Sequence, residues 1–295
     1  MARRSPFRNA LEAALVRGML GGVRRAPWLV GMGMQVLDAA VPRLRRVAMR
    51  NLELALPESA EGERRAIVDG TFRSLGRVFA TLARFPDIDK SNVGRLIRYD
   101  GFEHFERAKR AGRGVLFATA HVGNWEFSAF AHALMAEPMS VVVRPLDNPA
   151  LDEMAVRYRT LSGNTVIGRG KDFLRPLVEA LHANRAVGVL VDQNVTADRG
   201  IFVDFFGRKA CVDSGFARLA HRTGAAVIPG YALWSEGEGK YILRFEPVVE
   251  MTGDTPADTQ AIHGRLEAAI RRDPGQWLWI HRRWKTRPPG EASLY

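Results

Sequence analysis

The sequence predicts an α/β fold: a mixed, largely parallel sheet flanked by helices, with an N-terminal helical annex that contacts a membrane. Three observations carry this. Short apolar runs alternate with helical stretches beyond residue 86. A long helical pattern separates them from a basic, apolar N-terminal segment. At 295 residues the chain is long enough to bury a sizeable core. A hydrophobic content of 46% with 25% charged residues excludes a disordered or fibrous chain. The single cysteine, Cys211, excludes an intramolecular disulfide framework and a cysteine-cluster zinc site.

The elements follow in order. Residues 1–50 carry ten arginines against Glu12 and Asp38, a net charge of +8. Within them, apolar stretches at 10–23 and 26–41 are flanked by arginine. The run Ala26–Leu37 is short of the roughly 20 residues a bilayer span needs, and Asp38 and Pro42 follow it. Helices lying in a membrane interface are therefore expected; ordinary helices packed on the body are the other reading. No secretory signal is expected, because Glu12 and Arg17 break the first apolar stretch. From Glu58 to Phe85, Ile67, Phe72, Leu75, Val78, Phe79 and Leu82 recur at spacings of three and four, bracketed by Pro57 and Pro86. Strands are expected at Val115–Ala120, Met139–Val143, Val187–Val191 and Ala225–Ile228, and helices at 124–136, 149–161, 170–183 and 213–223. Tyr241–Phe245 reads as a hairpin partner of the 226–233 run. The division expected is an annex over 1–57 and an α/β domain over 58–295. Residues 271–295 hold a second basic patch of net +4, so the charge of +11 lies at the two ends of a nearly neutral body.

In such sheets, sites form beyond the carboxyl ends of strands. The 115–120 strand runs into His121-Val-Gly-Asn124-Trp-Glu126 and then a helix. Gly123 and Asn124 let the chain turn, so His121 and Glu126 can fold toward each other. Imidazole is matched to removing a hydroxyl proton near neutral pH, and a carboxylate would fix its tautomer. A helix-capping histidine beside a solvated glutamate is the plainer alternative. His132 and Glu137 share the spacing but lie within a helical run, where a five-residue offset turns them apart. Arg144, at another strand exit and held by Pro145, suits an oxyanion or a phosphate. Asp192, Gln193 and Asn194 follow a third strand, as a polar site or a turn. Phe202–Gly207 reads as core, with a wall that binds an alkyl chain as the other reading. The chain has no Gly-x-Ser-x-Gly elbow, phosphate-binding loop or His-Glu-x-x-His, which lowers serine-hydrolase, NTPase and zinc readings.

An ordered set of segments runs through Asn51-Leu-Glu-Leu-Ala-Leu-Pro57, His121-Val-Gly-Asn-Trp-Glu126, Arg144-Pro-Leu-Asp-Asn-Pro149, Asp192-Gln193, Phe205-Phe206-Gly207 and Trp279-Ile-His-Arg-Arg-Trp-Lys285. The set, spread over about residues 43–287, resembles the bacterial lipid A biosynthesis acyltransferases, relatives of the lysophospholipid acyltransferases. The resemblance implies transfer of a fatty acyl group from acyl carrier protein to a hydroxyl on an acyl chain of a lipid A precursor. It places the protein at the cytoplasmic face of the inner membrane, with no cofactor and no metal. By position, His121 is implied as general base and Glu126 as its partner. Asn124, Arg144, Asp192 and Gln193 are implied to bind substrate. Family members commonly begin with a transmembrane helix, whereas here the apolar run is short and interrupted. Glycerolipid acyltransferases share His-x4-acid but usually place Asn before the histidine and Asp at the end; here these are Ala120 and Glu126. Acylation of another glycolipid or a lysophospholipid from acyl-CoA, or acyl-thioester hydrolysis, would use the same pair. A nucleic-acid binder is suggested by charge alone and has no motif behind it.

Overall fold

The computed structural model describes residues 6–170 and 172–295. Arg3 and Arg4 of the N-terminal basic set lie outside the described residues.

Four helices come first: α1 (Pro6–Arg25), α2 (Leu29–Ala40), α3 (Pro42–Ala55) and α4 (Glu61–Ala83). Proline at the first position of α3 suits a helix start, where an unbonded N–H is missing anyway. The α/β part then runs β1 (Ile97–Asp100), α5 (Phe102–Arg110), β2 (Val115–Thr119), α6 (Trp125–Met135), β3 (Ser140–Val143), α7 (Pro149–Thr160), β4 (Thr165–Gly168), α8 (Leu174–His182) and β5 (Ala186–Leu190). A small hairpin follows, β6 (Ile201–Phe205) and β7 (Arg208–Val212), and then α9 (Gly215–Thr223). Then come β8 (Ala226–Ser235), β9 (Lys240–Phe245) and α10 (Thr255–Arg272), and a C-terminal segment over 273–295 follows α10.

The main sheet has seven strands in the order β1-β9-β8-β2-β5-β3-β4. All its pairings are parallel except the β8–β9 hairpin. Its centre, β2 and β5, is buried on both faces, as apolar crossover strands require. One face packs a core that includes Leu116, Val187, Leu177 and Leu266; the other packs Phe117, Phe127, Phe130 and Phe245. The expected strands and helices of the α/β part are all present within a few residues, and Tyr241–Phe245 does form the hairpin partner. The expectation missed the short edge strands β1 and β4, the helices α5 and α10, and the β6–β7 hairpin, which has Phe205 and Phe206 in the core.

The N-terminal helices differ in how they pack. α3 is part of the body: Ala48 and Leu52 are fully buried in the main core. Its buried Asn51 donates from Nδ2 to the carbonyls of Trp279 and His281, each at 2.6 Å. α1 packs on α4 and α7, and α2 on α4. Each leaves an apolar row outside: Phe7, Leu11, Leu15 and Met19 on α1, and Met32 and Val36 on α2 beside Trp28. Because α1 also buries Ala13, Leu20 and Val23, it is apolar on two faces. Among the described residues, no helix is long and apolar enough to cross a membrane.

Candidate active site

Parallel strands in register end at the same level. Thr119 of β2 faces Leu190 of β5, so the residues two positions beyond, His121 and Asp192, meet at the carboxyl end of the sheet. His121 Nδ1 lies 2.8 Å from Asp192 Oδ1, and the His121 backbone N–H donates to Oδ2 at 2.9 Å. A carboxylate only accepts, so Nδ1 carries the proton and Nε2 keeps its lone pair. A third donor, Trp277 Nε1, reaches Asp192 Oδ2 at 2.8 Å. Asp192 is only 3% exposed. Burial works against its charge, but the charge of His121 and the hydrogen bonds from His121 and Trp277 hold it well below the usual carboxylate range. Burial likewise opposes a charged His121; the charge and hydrogen bond of Asp192, helped by the charge of Glu126, outweigh it and raise the imidazole.

The turn after β2 is fixed on several sides. Gly123 has φ +61, and a Cβ there would stand 2.0 Å from the Ala232 carbonyl oxygen, so only glycine fits. Gly123 N donates to Gln276 O, Asn124 N to Ala232 O and Leu278 N to His121 O. The Trp279–Lys285 segment supports the site from behind: Trp279, Arg283 and Trp284 are fully buried. Burial pushes the Arg283 guanidinium down to about 10, and His281 Nε2 accepts from Asn194 N at 3.1 Å.

The structure redistributes the expected residues. Glu126 is not the hydrogen-bond partner of His121. Both its oxygens are taken by Arg159 of α7, at 2.6 and 2.8 Å, because the first turn of α6 aims the side chain at that helix. The partner is Asp192, expected as a substrate contact. Asn124 does not reach the cavity: it is fully buried and caps α6, its Oδ1 accepting from Phe127 N. Gln193 Nε2 stands 3.4 Å from His121 Nε2. Arg144 is exposed at the mouth, 3.9 Å from Asp147. His132 and Glu137 are apart, but not through a helical offset, because α6 ends at Met135 and Glu137 lies beyond it: His132 is buried among Phe105, Phe117 and Phe245, and Glu137 pairs with Lys109. Sequence reasoning missed Arg159 and Trp277. Nothing local marks either; both are brought in by strand order and by the C-terminal segment folding back.

His121, Glu126, Arg144, Arg159 and Gln193 line one cavity of about 1660 Å³. Its rim carries Arg169, Arg199, Arg218 and Arg222, and its depths are walled by Phe117, Val141, Leu177, Val178, Val189 and Phe216. A charged rim, a histidine whose Nε2 lies on the cavity with only the long 3.4 Å contact to Gln193 Nε2, and a long apolar interior suit a substrate with a polar head and an alkyl chain. Among the described residues, no group of three or more His, Cys, Asp or Glu side chains is arranged to hold a metal ion.

The comparisons with known proteins agree with this chemistry. The model of the bacterial lipid A biosynthesis acyltransferase family matches residues 29–286. The lipid A biosynthesis palmitoleoyltransferase of Escherichia coli is 32% identical over 279 residues, covering 91% of this chain and 89% of the relative. The lauroyltransferase of the same organism is 31% identical, covering 86% and 83%. A phosphatidylinositol mannoside acyltransferase of Mycolicibacterium smegmatis is 29% identical, covering 74% and 72%. With the family model spanning most of its length and relatives above 30% identity, the chain belongs to the bacterial lipid A biosynthesis acyltransferases and is an O-acyltransferase.

Proposed function

We propose that this enzyme performs a late acylation in lipid A biosynthesis, moving an acyl group from acyl carrier protein to a hydroxyl of the lipid A precursor. The observation that carries the proposal is the His121–Asp192 pair at the head of a deep apolar cavity. The acceptor hydroxyl gives its proton to His121 Nε2 as its oxygen attacks the thioester carbonyl. Asp192 holds the Nδ1 proton and stabilises the imidazolium that forms. Collapse of the tetrahedral intermediate expels the thiolate, which recovers the proton from His121. Arg144, and the Arg159 guanidinium clamped by Glu126, supply positive charge near the developing oxyanion. Glu126 acts through Arg159 and by its charge on His121.

The acceptor arrives from an anionic membrane at the cytoplasmic face of the inner membrane. The exposed rows of α1 and α2 enter the interface, and the arginines nearby add roughly 1 kcal/mol each near an anionic surface. α1 reaches the cavity mouth: Asn148, in the loop that carries Arg144, donates to Asn9 O at 3.1 Å and Glu12 at 3.0 Å. The arginine rim offers a surface to the acidic carrier protein.

The test is transfer by the purified protein in detergent, with acyl carrier protein as donor and lipid A precursor as acceptor. Wild type should acylate the precursor. His121→Ala, folded by circular dichroism, should lose about 10²–10⁴ of the rate. Acyl release as free acid that ignores the acceptor would replace transfer with hydrolysis, and near-normal transfer by His121→Ala would end the proposed mechanism.

A further inference from the structure

The cavity divides over the two faces of the sheet, and strand pairing explains where. β2 and β5 stay paired up to Thr119 and Leu190, and β3 and β4 up to Val143 and Gly168. β3 and β5 pair only through Ser140–Val187 and Val141–Gly188. Beyond Gly188 these two strands part, and cavity walls come from both faces. On the α6 side they include Phe117, Ala129, Met139 and Val141; on the α8–α9 side, Leu177, Val178, Val189 and Phe216.

Gly188 stands where the strands part, and its bare face belongs to the α6 arm. A Cβ built there would lie 2.7 Å from Met139 Cε, so the methionine tip occupies the space a side chain would take. The Met139 backbone is fixed. Its N–H donates to Asn164 Oδ1 at 2.9 Å, its carbonyl accepts from Thr165 N at 3.0 Å, and Asn164 in turn donates to Ala129 O. A flexible thioether on a pinned backbone thus sits across the apolar arm, with Phe117, Phe130 and Phe245 around the same region. The catalytic imidazole meets α6 at the head of this arm: its ring lies 5.0 Å from that of Trp125, edge to face.

We infer that the α6-side arm takes the alkyl chain of the transferred acyl group, and that Met139 seated on Gly188 sets the longest chain it admits. The inference rests on the acyl-transfer reading above. A carbonyl beside His121 Nε2 directs its chain along α6, and each methylene past the methionine must displace it. Met139→Ala deletes Cγ, Sδ and Cε and leaves room for about two more methylenes. Gly188→Ala inserts a methyl against Cε and drives the thioether up into the arm.

The experiment gives the full-length protein in detergent an equimolar homologous series of saturated acyl-thioester donors with lipid A precursor, and reads product chain length by mass spectrometry. Met139→Ala should move the product toward chains about two carbons longer, with a change of about tenfold in the long-to-short ratio. Gly188→Ala should move it the other way. Val178→Ala, in the opposite arm, should keep the wild-type distribution. Unchanged chain length in Met139→Ala with transfer intact overturns the inference, as does a shift confined to Val178→Ala, and Met139→Ala decides alone if Gly188→Ala fails to fold. Wild-type protein that transfers no chain from any donor overturns the acyl-transfer reading itself, and this inference with it.

Discussion

Glu126 and Asp192 show how two carboxylates near one histidine divide their work. Asp192 is buried and takes three hydrogen bonds, two of them from His121. Glu126 forms a two-pronged, part-buried pair with Arg159. Replacing Glu126 alone with glutamine leaves that guanidinium without its counter-charge, and we expect a loss of about 2 kcal/mol in stability. Replacing both, as Glu126→Gln with Arg159→Met, should recover most of it, since removing a buried pair entirely is often nearly neutral. Denaturant titration of the two single variants and the double variant measures this; simple addition of the single losses would show that the residues do not act as a pair. At this scale the sequence offered His121 as the candidate base and Asp192 as a substrate contact. It could not show their pairing, because His121-x4-Glu126 is visible along the chain whereas the β2–β5 adjacency that joins His121 to Asp192 is not.

Among the elements, the N-terminal helices were readable in their apolar segments and arginines, while their attachments were not. α3 belongs to the body through Asn51 and Leu52, a link that spans the chain to Trp279 and His281. α1 shows apolar residues on both faces, and a helix on a water-exposed surface has no need of the outer row. We expect Leu11→Glu with Leu15→Glu to move the protein from pellet to supernatant in sedimentation with anionic vesicles, because burying each leucine contributes about 1.5–3 kcal/mol. Both side chains point outward, so the fold should persist. Full retention on vesicles by that variant would mean that α1 is not the membrane contact. The strand–helix alternation of the α/β part was legible because crossover strands are apolar throughout. Edge strands such as β1 and β4, four residues each and partly exposed, carry too little pattern to stand out.

The molecule as a whole buries several histidines as neutral groups. Burial lowers His132 to about 3 and His263 to about 4, and His281 is likewise lowered to about 4. Each folded-state value lies below that of the unfolded chain. Their stability is therefore present above about pH 6.5 and is lost as pH falls through that value toward 4, because the unfolded state binds the extra protons. For the fully buried His132 and His263 the loss is up to about 1.4 kcal/mol per pH unit each. His121, raised by Asp192, works in the opposite sense, but it is one group against three. The melting temperature should thus fall steadily below about pH 6.5, and His132→Phe, which suits the surrounding phenylalanine rings, should reduce the slope. A melting temperature that holds constant down to about pH 4.5 would contradict this.

The pH dependence of kcat/KM for acyl transfer tests the central claim, that His121 backed by Asp192 is the base, most directly. In wild type the rate should rise with pH along a limb centred above the ordinary imidazole value of about 6.5. In Asp192→Asn the limb should move to lower pH, because the charge that favours the imidazolium is gone, and the plateau should fall by about 10²–10⁴. A limb and plateau unchanged in Asp192→Asn would contradict the account.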